Sequence, residues 1–198
     1  MSQEVVRGLL LAAGAGRRMG MPKGLLRDAR DVPFVDRAVG ALLDGGADAV
    51  TVVVGAAADQ VTAVLAEAGW VEDPAVDVVR AADWSDGMGA SLRAGLAHAS
   101  HGAASCALVS LVDLPDVGSS VVARVLREAG TTPASLGRAT YGGVPGHPVL
   151  IGRAHWDGVI ASARGDRGAR DYLAGHPPVE VECGDLATGR DVDRPAHL

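Results

Sequence analysis

A short apolar run leads directly into a glycine-rich loop near the start of the chain, and this pairing narrows the folds open to the sequence. Residues 5–11 read Val-Val-Arg-Gly-Leu-Leu-Leu, which is typical of a buried strand. Gly14, Gly16 and Gly20 then let the backbone turn sharply and approach a ligand closely. Because consecutive N–H groups in such a turn bind anions, the loop predicts a phosphate site at a strand end.

Lys23 closes this loop and is the only lysine of the chain. An ammonium group is a compact point charge, whereas a guanidinium group is a broad planar fork, so a tight site for one phosphate oxygen favours lysine. A single lysine can also fall here by chance, and the chemistry of the loop argues against that reading. Arg17 and Arg18 add charge, although Arg18 also fits an ordinary surface position. Three cations favour a triphosphate over a pyrophosphate.

Two better-known phosphate motifs do not match the loop. A P-loop requires Gly-Lys followed by Ser or Thr, and the sequence contains no such triplet. In a Rossmann fingerprint the third glycine comes three residues after the second, but Gly20 comes four residues after Gly16. Pro22 also prevents a helix from running straight through the loop. An NAD-binding Rossmann protein is therefore disfavoured.

Strand-like and helix-like segments alternate along the rest of the chain. This alternation predicts an α/β fold: a three-layer α/β/α arrangement with a mostly parallel, Rossmann-like sheet. Ser85 or Asp86 is a candidate cap for the third helix, and Gly142 lies in the turn of a hairpin. The predicted strands are 5–11, 49–54, 76–80, 106–112, 135–140, 144–151 and 179–183, and the predicted helices are 34–44, 57–68, 88–99, 117–129, 154–161 and 169–174.

Length and composition exclude several classes of protein. The 198 residues fit one domain, spanning 1–198, and the net charge of −6 argues against nucleic acid as the main partner. No uncharged run approaches the roughly 20 residues of a membrane helix, so we expect no membrane partner. The first residues lack a basic segment and a cleavage site, so we expect no signal peptide. Cys106 and Cys183 lack metal or redox spacing, which is typical of a cytoplasmic protein without disulfides.

The loop from Leu11 to Lys23 resembles the signature of nucleotidyltransferases that build sugar nucleotides and molybdopterin dinucleotides. Within that superfamily the chain resembles the MobA-like group, and in particular the molybdenum cofactor cytidylyltransferases. The resemblance extends over nearly the whole chain and keeps the order of the motifs. The further matching segments are 83–92 (Asp-Trp-Ser-Asp-Gly-Met-Gly-Ala-Ser-Leu), 111–115 (Leu-Val-Asp-Leu-Pro), 146–150 (Gly-His-Pro-Val-Leu), 165–170 (Gly-Asp-Arg-Gly-Ala-Arg) and 191–195 (Asp-Val-Asp-Arg-Pro).

This resemblance implies the sheet of the nucleotide-diphospho-sugar transferase type and a Mg²⁺-dependent reaction. A nucleoside monophosphate would pass from an NTP to a phosphorylated, molybdopterin-like acceptor, with release of pyrophosphate. The Ala12-Ala13 start of the loop resembles the cytidylyl version and favours CTP, whereas Arg18-Met19 resembles the guanylyl version equally. GTP, a sugar phosphate and a small alcohol phosphate stay open. A molybdoenzyme or its chaperone is the protein partner that this activity implies, and the sequence does not distinguish a monomer from a dimer.

Asp113 follows an uncharged strand, which would deliver its carboxylate to the edge of the sheet where ligands bind. An aspartate before Leu-Pro also fits a turn or a helix cap. The resemblance makes Asp113 a Mg²⁺ ligand. The resemblance also implies a second metal-binding aspartate. Counted back from Pro195, Asp193 matches its position better than Asp191 does, although Arg194 departs from the family pattern.

The resemblance also distributes the remaining roles. Arg17 and Lys23 would neutralise phosphate charge beside Asp113 as catalytic residues. Each assignment has a plainer alternative: Ser91 fits an ordinary helix start, His147 a structural histidine, and Asp166 with Arg170 a surface pair instead of a pocket wall. The nucleotide-binding residues would be Leu11, Ala12, Ala13, Gly14, Gly16, Arg17, Lys23 and Ser91, and the acceptor-binding residues Arg80, Gly89 and His147, with Arg93 as a further candidate.

A different class of function uses the same residues. A nucleotide-binding module or chaperone could hold the nucleotide and deliver a cofactor without turning anything over. The departure at Arg194 is the feature that favours it. Replacement of Asp113 separates the two, because only a catalyst has pyrophosphate release to lose.

Overall fold

One mixed sheet of seven strands forms the centre of the protein. The computed structural model describes residues 4–16 and 19–192. The strands are β1 (Val6–Ala12), β2 (Ala49–Val54), β3 (Val76–Arg80), β4 (Cys106–Leu111), β5 (Leu136–Tyr141), β6 (Val144–Gly152) and β7 (Val179–Glu182). They lie in the order β3-β2-β1-β4-β6-β5-β7, and of these described strands only β6 runs against the others. The predicted, mostly parallel sheet and the predicted hairpin are both confirmed.

Six α-helices flank the sheet within the described residues. None of them is long and apolar enough to cross a membrane. Short 3₁₀ turns at 23–25, 84–86, 153–155 and 165–167 complete the connections. The helices are α1 (Phe34–Asp44), α2 (Ala58–Glu67), α3 (Met88–Ser100), α4 (Ser119–Ala129), α5 (Trp156–Ser162) and α6 (Arg170–Gly175).

The two faces of the sheet bury two separate apolar cores. Successive side chains of a strand point to opposite faces, so the neighbours Leu9 and Leu10 belong to different cores. Leu10 packs with residues of α1, α2 and α4, whereas Leu9 packs with residues of α3, α5 and α6. Helices therefore cover both faces, and the predicted three-layer α/β/α architecture is confirmed.

The start of α3 differs from the sequence-based expectation. Neither Ser85 nor Asp86 caps this helix, because both lie in the preceding 3₁₀ turn and Gly87 occupies the cap position. Gly87 has a φ of 101°, and a Cβ there would lie 2.6 Å from the main chain of Gly165. The chain thus enters α3 through a left-handed conformation that favours glycine. The first turn of α3 consequently begins without a side-chain acceptor.

Candidate functional site

Lys23 and Asp113 meet at the edge of the sheet where β1 and β4 end. The two strands are parallel neighbours with Leu11 opposite Leu111, so the residues that follow them leave the sheet together. The Nζ atom of Lys23 donates a hydrogen bond of 2.6 Å to Oδ2 of Asp113. These side chains are 20 % and 13 % exposed, so the ion pair is largely shielded from water. The lysine and the strand-end aspartate predicted from separate motifs therefore form one unit.

An open cavity surrounds this ion pair, and we call it the loop cavity. Its volume of about 440 Å³ falls within the usual range for small-molecule sites. It collects most of the predicted nucleotide-binding residues together with the predicted wall residue Asp166. The lining residues are Leu11, Ala13, Gly14, Ala15, Gly16, Lys23, Trp84, Ser85, Gly87, Met88, Ser91, Leu111, Val112, Asp113 and Asp166.

Gly16 fixes the shape of the loop beside this cavity. It has a φ of 59°, and a Cβ at this position would lie 1.8 Å from the carbonyl oxygen of Met21. The Gly16 carbonyl also accepts a hydrogen bond of 2.9 Å from the N–H of Met19. A Cβ at Gly14, by contrast, would meet no atom within 4 Å. The loop conformation thus depends on glycine at position 16, whereas position 14 faces open space.

The strand end before the loop is held by its own main-chain hydrogen bonds. The Leu11 carbonyl accepts from the N–H of Val112 at 3.3 Å, and the Ala13 carbonyl accepts from the N–H of Ala56 at 3.1 Å. Leu11 and Ala13 line the loop cavity, but Ala12 is buried within β1 and lies outside the lining. Neighbouring segments on both sides therefore position the residues that the sequence assigns to the base.

The last described residues lie against Asp113. The N–H of Val192 donates a hydrogen bond of 3.0 Å to the main-chain carbonyl of Asp113, and Val192 is buried in the core. Asp191 precedes Val192, so its main chain passes near that of Asp113, but Asp191 lines another cavity, beside the turn of the β5–β6 hairpin. Asp193 and Arg17 lie outside the described residues, so their predicted roles stay predictions. The choice between Asp191 and Asp193 as second metal ligand also stays open.

The donor set around Asp113 fits a magnesium ion that substrate phosphates help to hold. Magnesium usually binds through one or two carboxylates plus phosphate oxygens, and does not require a cage of protein ligands. Asp113 supplies one carboxylate to an open cavity. Within residues 4–16 and 19–192, no group of three or more His, Cys, Asp or Glu side chains gathers around one point. The described residues therefore fit a magnesium site in which the phosphates of the nucleotide supply the remaining ligands.

A second, smaller cavity adjoins the loop cavity, and we call it the arginine cavity. It has a volume of about 150 Å³ and shares Leu11 and Met88 with the loop cavity. Apolar side chains form most of its lining. The lining residues are Leu11, Met88, Leu92, Val109, Arg138, Pro145, Gly146, His147, Val149, Ile151, Arg167, Gly168, Ala169, Arg170 and Leu173.

His147 lines the arginine cavity and is uncharged at neutral pH. Burial lowers the pKa of its imidazole to about 4, and the negative charge of Asp113 opposes that shift only in part. Its main-chain carbonyl accepts a hydrogen bond of 2.7 Å from the hydroxyl of Tyr141. His147 can therefore offer the cavity a neutral imidazole, and not a cation for a phosphate group.

The other predicted acceptor residues lie outside both cavities. Arg80 ends β3 with Nη1 at 3.6 Å from Oδ1 of Asp59. Gly89 packs in α3, where a Cβ would be 2.9 Å from the N atom of Arg164. Arg93 donates to Oδ2 of Asp83 at 2.8 Å. The fold explains these positions, and the roles assigned from the sequence stay predictions.

Sequence reasoning missed Arg138 and Arg167 as cavity residues. Arg138 lies between the buried Gly137 and Ala139 of β5, so strand alternation directs its side chain to the opposite face of the sheet. The alternation along β5 could have shown from the sequence which face of the sheet Arg138 is on. It could not have shown that this face lines a cavity. Arg170 was predicted as a pocket wall, and it lines this cavity.

Comparison with known proteins identifies the family. The model for the MobA-like NTP transferase domain matches residues 8–181. The chain belongs to this family. The matched segment includes the glycine loop, Lys23, Asp113 and the arginine cavity.

Individual relatives agree with this assignment over nearly the whole chain. Nicotine blue oxidoreductase of Paenarthrobacter nicotinovorans is 38% identical, over 95% of this chain and 92% of its own. The crystal structure of Rv0371c from Mycobacterium tuberculosis H37Rv is 29% identical with a TM-score of 0.80, covering 98% of this chain and 95% of its own. A second structure of Rv0371c, in complex with manganese, is 27% identical with a TM-score of 0.73, covering 95% of this chain and 94% of its own.

A nucleotidyl transferase from Methanothermobacter thermautotroptrophicus extends the similarity at the level of the fold. It is 21% identical, with a TM-score of 0.75 and coverage of 98% of this chain and 94% of its own. The sheet is thus of the nucleotide-diphospho-sugar transferase type, as the sequence predicted, and the domain is of the nucleotidyltransferase type.

Proposed function

We propose that this protein transfers a nucleoside monophosphate from CTP to a phosphorylated, molybdopterin-type acceptor, with Mg²⁺, and releases pyrophosphate. The observation that carries the proposal is the Lys23–Asp113 pair beside the glycine loop, at the mouth of an open cavity of about 440 Å³. A cation and a carboxylate at one point match the two needs of a metal–triphosphate substrate. Reactions of this class depend mainly on positioning and on stabilisation of charge.

The phosphates would bind where three sources of positive potential converge. Gly14, Ala15 and Gly16 line the cavity, and consecutive main-chain N–H groups of such a loop can bind an anion. The first turn of α3 starts at Gly87 without a side-chain acceptor, so its N–H groups suit an anion. Lys23 supplies the charge that stabilises the leaving pyrophosphate, and in the proposal it exchanges its carboxylate partner for a phosphate oxygen.

Asp113, with Asp191 or Asp193, would hold the metal ion. When bound, Mg²⁺ neutralises phosphate charge and orients the triphosphate. The manganese complex of Rv0371c supports a divalent cation in a relative of this fold. In this chain the Asp113 carboxylate lines the loop cavity beside the ammonium group of Lys23.

The acceptor phosphate needs little help from a base, because a phosphate monoester is already anionic. Its oxygen would attack the α-phosphorus in line as the bond to pyrophosphate breaks. His147 is neutral and lines the adjoining cavity, so we assign it to the acceptor and not to proton transfer. The preference for CTP rests on the Ala12-Ala13 start of the loop, and the choice of acceptor rests on the family resemblance.

Pyrophosphate release tests the proposal directly. Purified protein would be assayed with Mg²⁺, molybdopterin and each of CTP, GTP, ATP and UTP. We expect release with CTP, and a fall of about 100-fold or more for Asp113→Asn, the scale seen when one charge-stabilising group is lost from an active site. Asp59→Asn is the matched control, because Asp59 is 92 % exposed and lies outside both cavities.

The outcomes separate the rival readings. Release with GTP alone would overturn the assignment of the base. Binding of nucleotide without release, for molybdopterin and for a panel of sugar and alcohol phosphates, would favour the non-catalytic module. Equal rates of pyrophosphate release for Asp113→Asn and wild type would contradict the proposal, because they would mean that the Asp113 carboxylate is not needed for the reaction.

A second candidate function is an oxidoreductase activity. The observation that favours it is the 38% identity to a protein named nicotine blue oxidoreductase, over 95% of this chain. A nicotinamide dinucleotide would place its pyrophosphate in the same loop, and an oxidised dye would accept its hydride. The test follows the absorbance of NADH and NADPH with such a dye. A decrease in this absorbance that requires the protein and is lost in Lys23→Met would support the oxidoreductase candidate. An absorbance that does not change would count against it and favour the transferase.

A further inference from the structure

The floor of the arginine cavity is a row of side chains across three neighbouring strands. Val109 on β4 pairs with Val149 on β6, and Val149 pairs with Arg138 on β5. All three line the cavity, so two apolar side chains lead to a guanidinium group at the end of the row. We propose that Arg138 selects the second substrate by binding an anionic oxygen on a ring-sized group in this cavity. The inference rests on the proposed function, because that function requires an acceptor.

The size and lining of the cavity set the shape of this group. A cavity of about 150 Å³ lined by aliphatic side chains holds a single six-membered ring in a well-studied protein. The arginine cavity has a similar volume, with Leu92, Val149 and Leu173 among its apolar walls. A phosphate alone would leave this apolar surface uncovered. A ring-bearing anion fits both the walls and the charge.

Arg138 has donors to spare for such an anion. Its Nη2 atom donates to Oε1 of Glu180 at 2.6 Å, which fixes one edge of the guanidinium group. The Nε atom is buried and makes no hydrogen bond to any of the described residues. A buried donor without a partner is rare enough to require an explanation. A bound anionic oxygen would supply one at the same guanidinium group.

The charged residues that line the cavity also favour an anionic ligand. Arg167 and Arg170 line the wall opposite the sheet, and the lining residues contain no carboxylate. Arg167 is paired with Asp171 at 2.5 Å, outside the lining. His147 adds no charge at neutral pH, because its pKa is lowered to about 4. The charged residues of the lining are therefore all arginines, and two of them, Arg138 and Arg167, are paired with carboxylates outside it.

Arg138 and the ion pair lie apart along the sheet. Two strand spacings separate β5 from β4, the strand that leads to Asp113, which is roughly 10 Å at the usual separation between strands. The loop cavity and the arginine cavity meet at Leu11 and Met88. An acceptor that spans them has its phosphate near Lys23 and a ring with a second anionic or ionisable oxygen near Arg138.

Benzoate is a suitable probe, because it joins one ring to one carboxylate and has no phosphate for the glycine loop. Its binding to ¹⁵N-labelled protein would be followed by NMR and compared with benzyl alcohol and with acetate. We expect saturable shifts for the amide groups of residues 146, 147, 149 and 168–170, with benzoate bound at least tenfold more tightly than either comparison compound. Arg138→Gln should weaken benzoate binding at least tenfold, and Glu180→Gln should leave it equal or tighter, because it removes the carboxylate that competes for the Arg138 guanidinium group.

The comparison of the two variants separates recognition from folding. A loss of benzoate binding in both would mean that the ion pair merely supports the strand, and would overturn the inference. So would equal binding by Arg138→Gln and wild type, equal binding of benzoate and benzyl alcohol, or no binding at all. CTP with Mn²⁺ would be titrated into the same samples. Absent CTP binding beside Arg138-dependent benzoate binding would count against the proposed function and not against the assignment of Arg138.

Discussion

The loop cavity and the arginine cavity adjoin each other, but the chain constructs them differently. Three glycines, Gly14, Gly16 and Gly87, contribute to the loop cavity, and Gly16 cannot accept even a methyl group, because its Cβ would overlap the carbonyl of Met21. Side chains from β1, β4, β5, β6, α3 and α6 form the arginine cavity. Main-chain geometry fixes the first site, whereas substitution can reshape the second without altering the backbone.

Gly16→Ala should have the largest effect. The new Cβ would lie 1.8 Å from the carbonyl oxygen of Met21, at a φ of 59°, so the loop must rearrange. We expect nucleotide binding to disappear and stability to fall by about 1–3 kcal/mol, the usual cost of a strained residue. Calorimetric titration with CTP and urea unfolding would measure the two effects.

Gly14→Ala is the matched control for that change. No atom lies within 4 Å of a Cβ at this position, so the unfolding free energy should stay near the wild-type value. Nucleotide affinity should fall only modestly, as the methyl group enters the loop cavity. Similar losses for both alanine variants would contradict the view that position 16 alone fixes the loop conformation.

Leu92→Ala tests whether the arginine cavity can be reshaped independently. Leu92 is 2 % exposed and lines that cavity, so its truncation should cost about 3 kcal/mol of stability and enlarge the space. Naphthoate should then bind more tightly than it does to wild type, while CTP affinity is retained. Leu96→Ala, at a fully buried position of the same helix outside the lining, should cost as much stability without admitting naphthoate. Identical probe binding by both variants would mean that the cavity does not determine ring size.

Lys23→Arg has a smaller expected effect, because it keeps the charge. A guanidinium group is broader than an ammonium group, so the contact of 2.6 Å with Asp113 cannot be reproduced in the same space. We expect kcat/KM for pyrophosphate release to fall about tenfold, which corresponds to about 1.4 kcal/mol. Lys23→Met should lose more. A rate for the arginine variant equal to wild type would show that charge alone, and not a compact ammonium group, is required.

Glu182→Gln should have the smallest effect, and that effect should depend on pH. The Glu182 carboxylate accepts hydrogen bonds from the N–H groups of Gly142, Gly143 and Gly184 and from the Thr140 hydroxyl, which together lower its pKa to about 2. Since the folded-state pKa lies below the unfolded value of 4.5, this stabilisation is complete above pH 4.5 and is lost as the pH falls through 2.

Urea unfolding of wild type and Glu182→Gln between pH 7 and pH 2 would measure this dependence. The difference in unfolding free energy should be constant above about pH 5 and shrink toward zero near pH 2. A difference that did not change with pH would show that the ionised carboxylate is not what holds the turn of the β5–β6 hairpin.

The contrast between the cavities also explains how far the sequence could predict this molecule. Apolar runs bounded by glycine predicted the strands and helices, because the burial of β-branched residues and the ending of a helix at glycine are local effects. Gly45 and Gly130, for example, are the residues at which α1 and α4 end. The glycine loop and Asp113 follow strands that are neighbours in the sheet, so their proximity was also predictable. The residue that caps α3 was not predictable, because the close approach of Gly87 to Gly165 joins segments that are far apart in the chain.

The arginine cavity shows where such reasoning stops. Arg138, Leu92 and Arg170 come from three segments separated by tens of residues, and only the folded sheet brings them together. Arg80 was assigned to the acceptor from the family resemblance. It ends β3, the outermost strand on its side of the sheet, and lies beside Asp59, and its role stays a prediction.

A chain with one lysine carries its own reporter. Because the single side-chain amine lies at the ion pair with Asp113, incorporation of isotope-labelled lysine gives a protein with one labelled residue, located at the candidate active site. One resonance would then record whether the ammonium group contacts the carboxylate or a phosphate. Reagents that acylate side-chain amines would likewise have a single target, and a bound nucleotide should protect it.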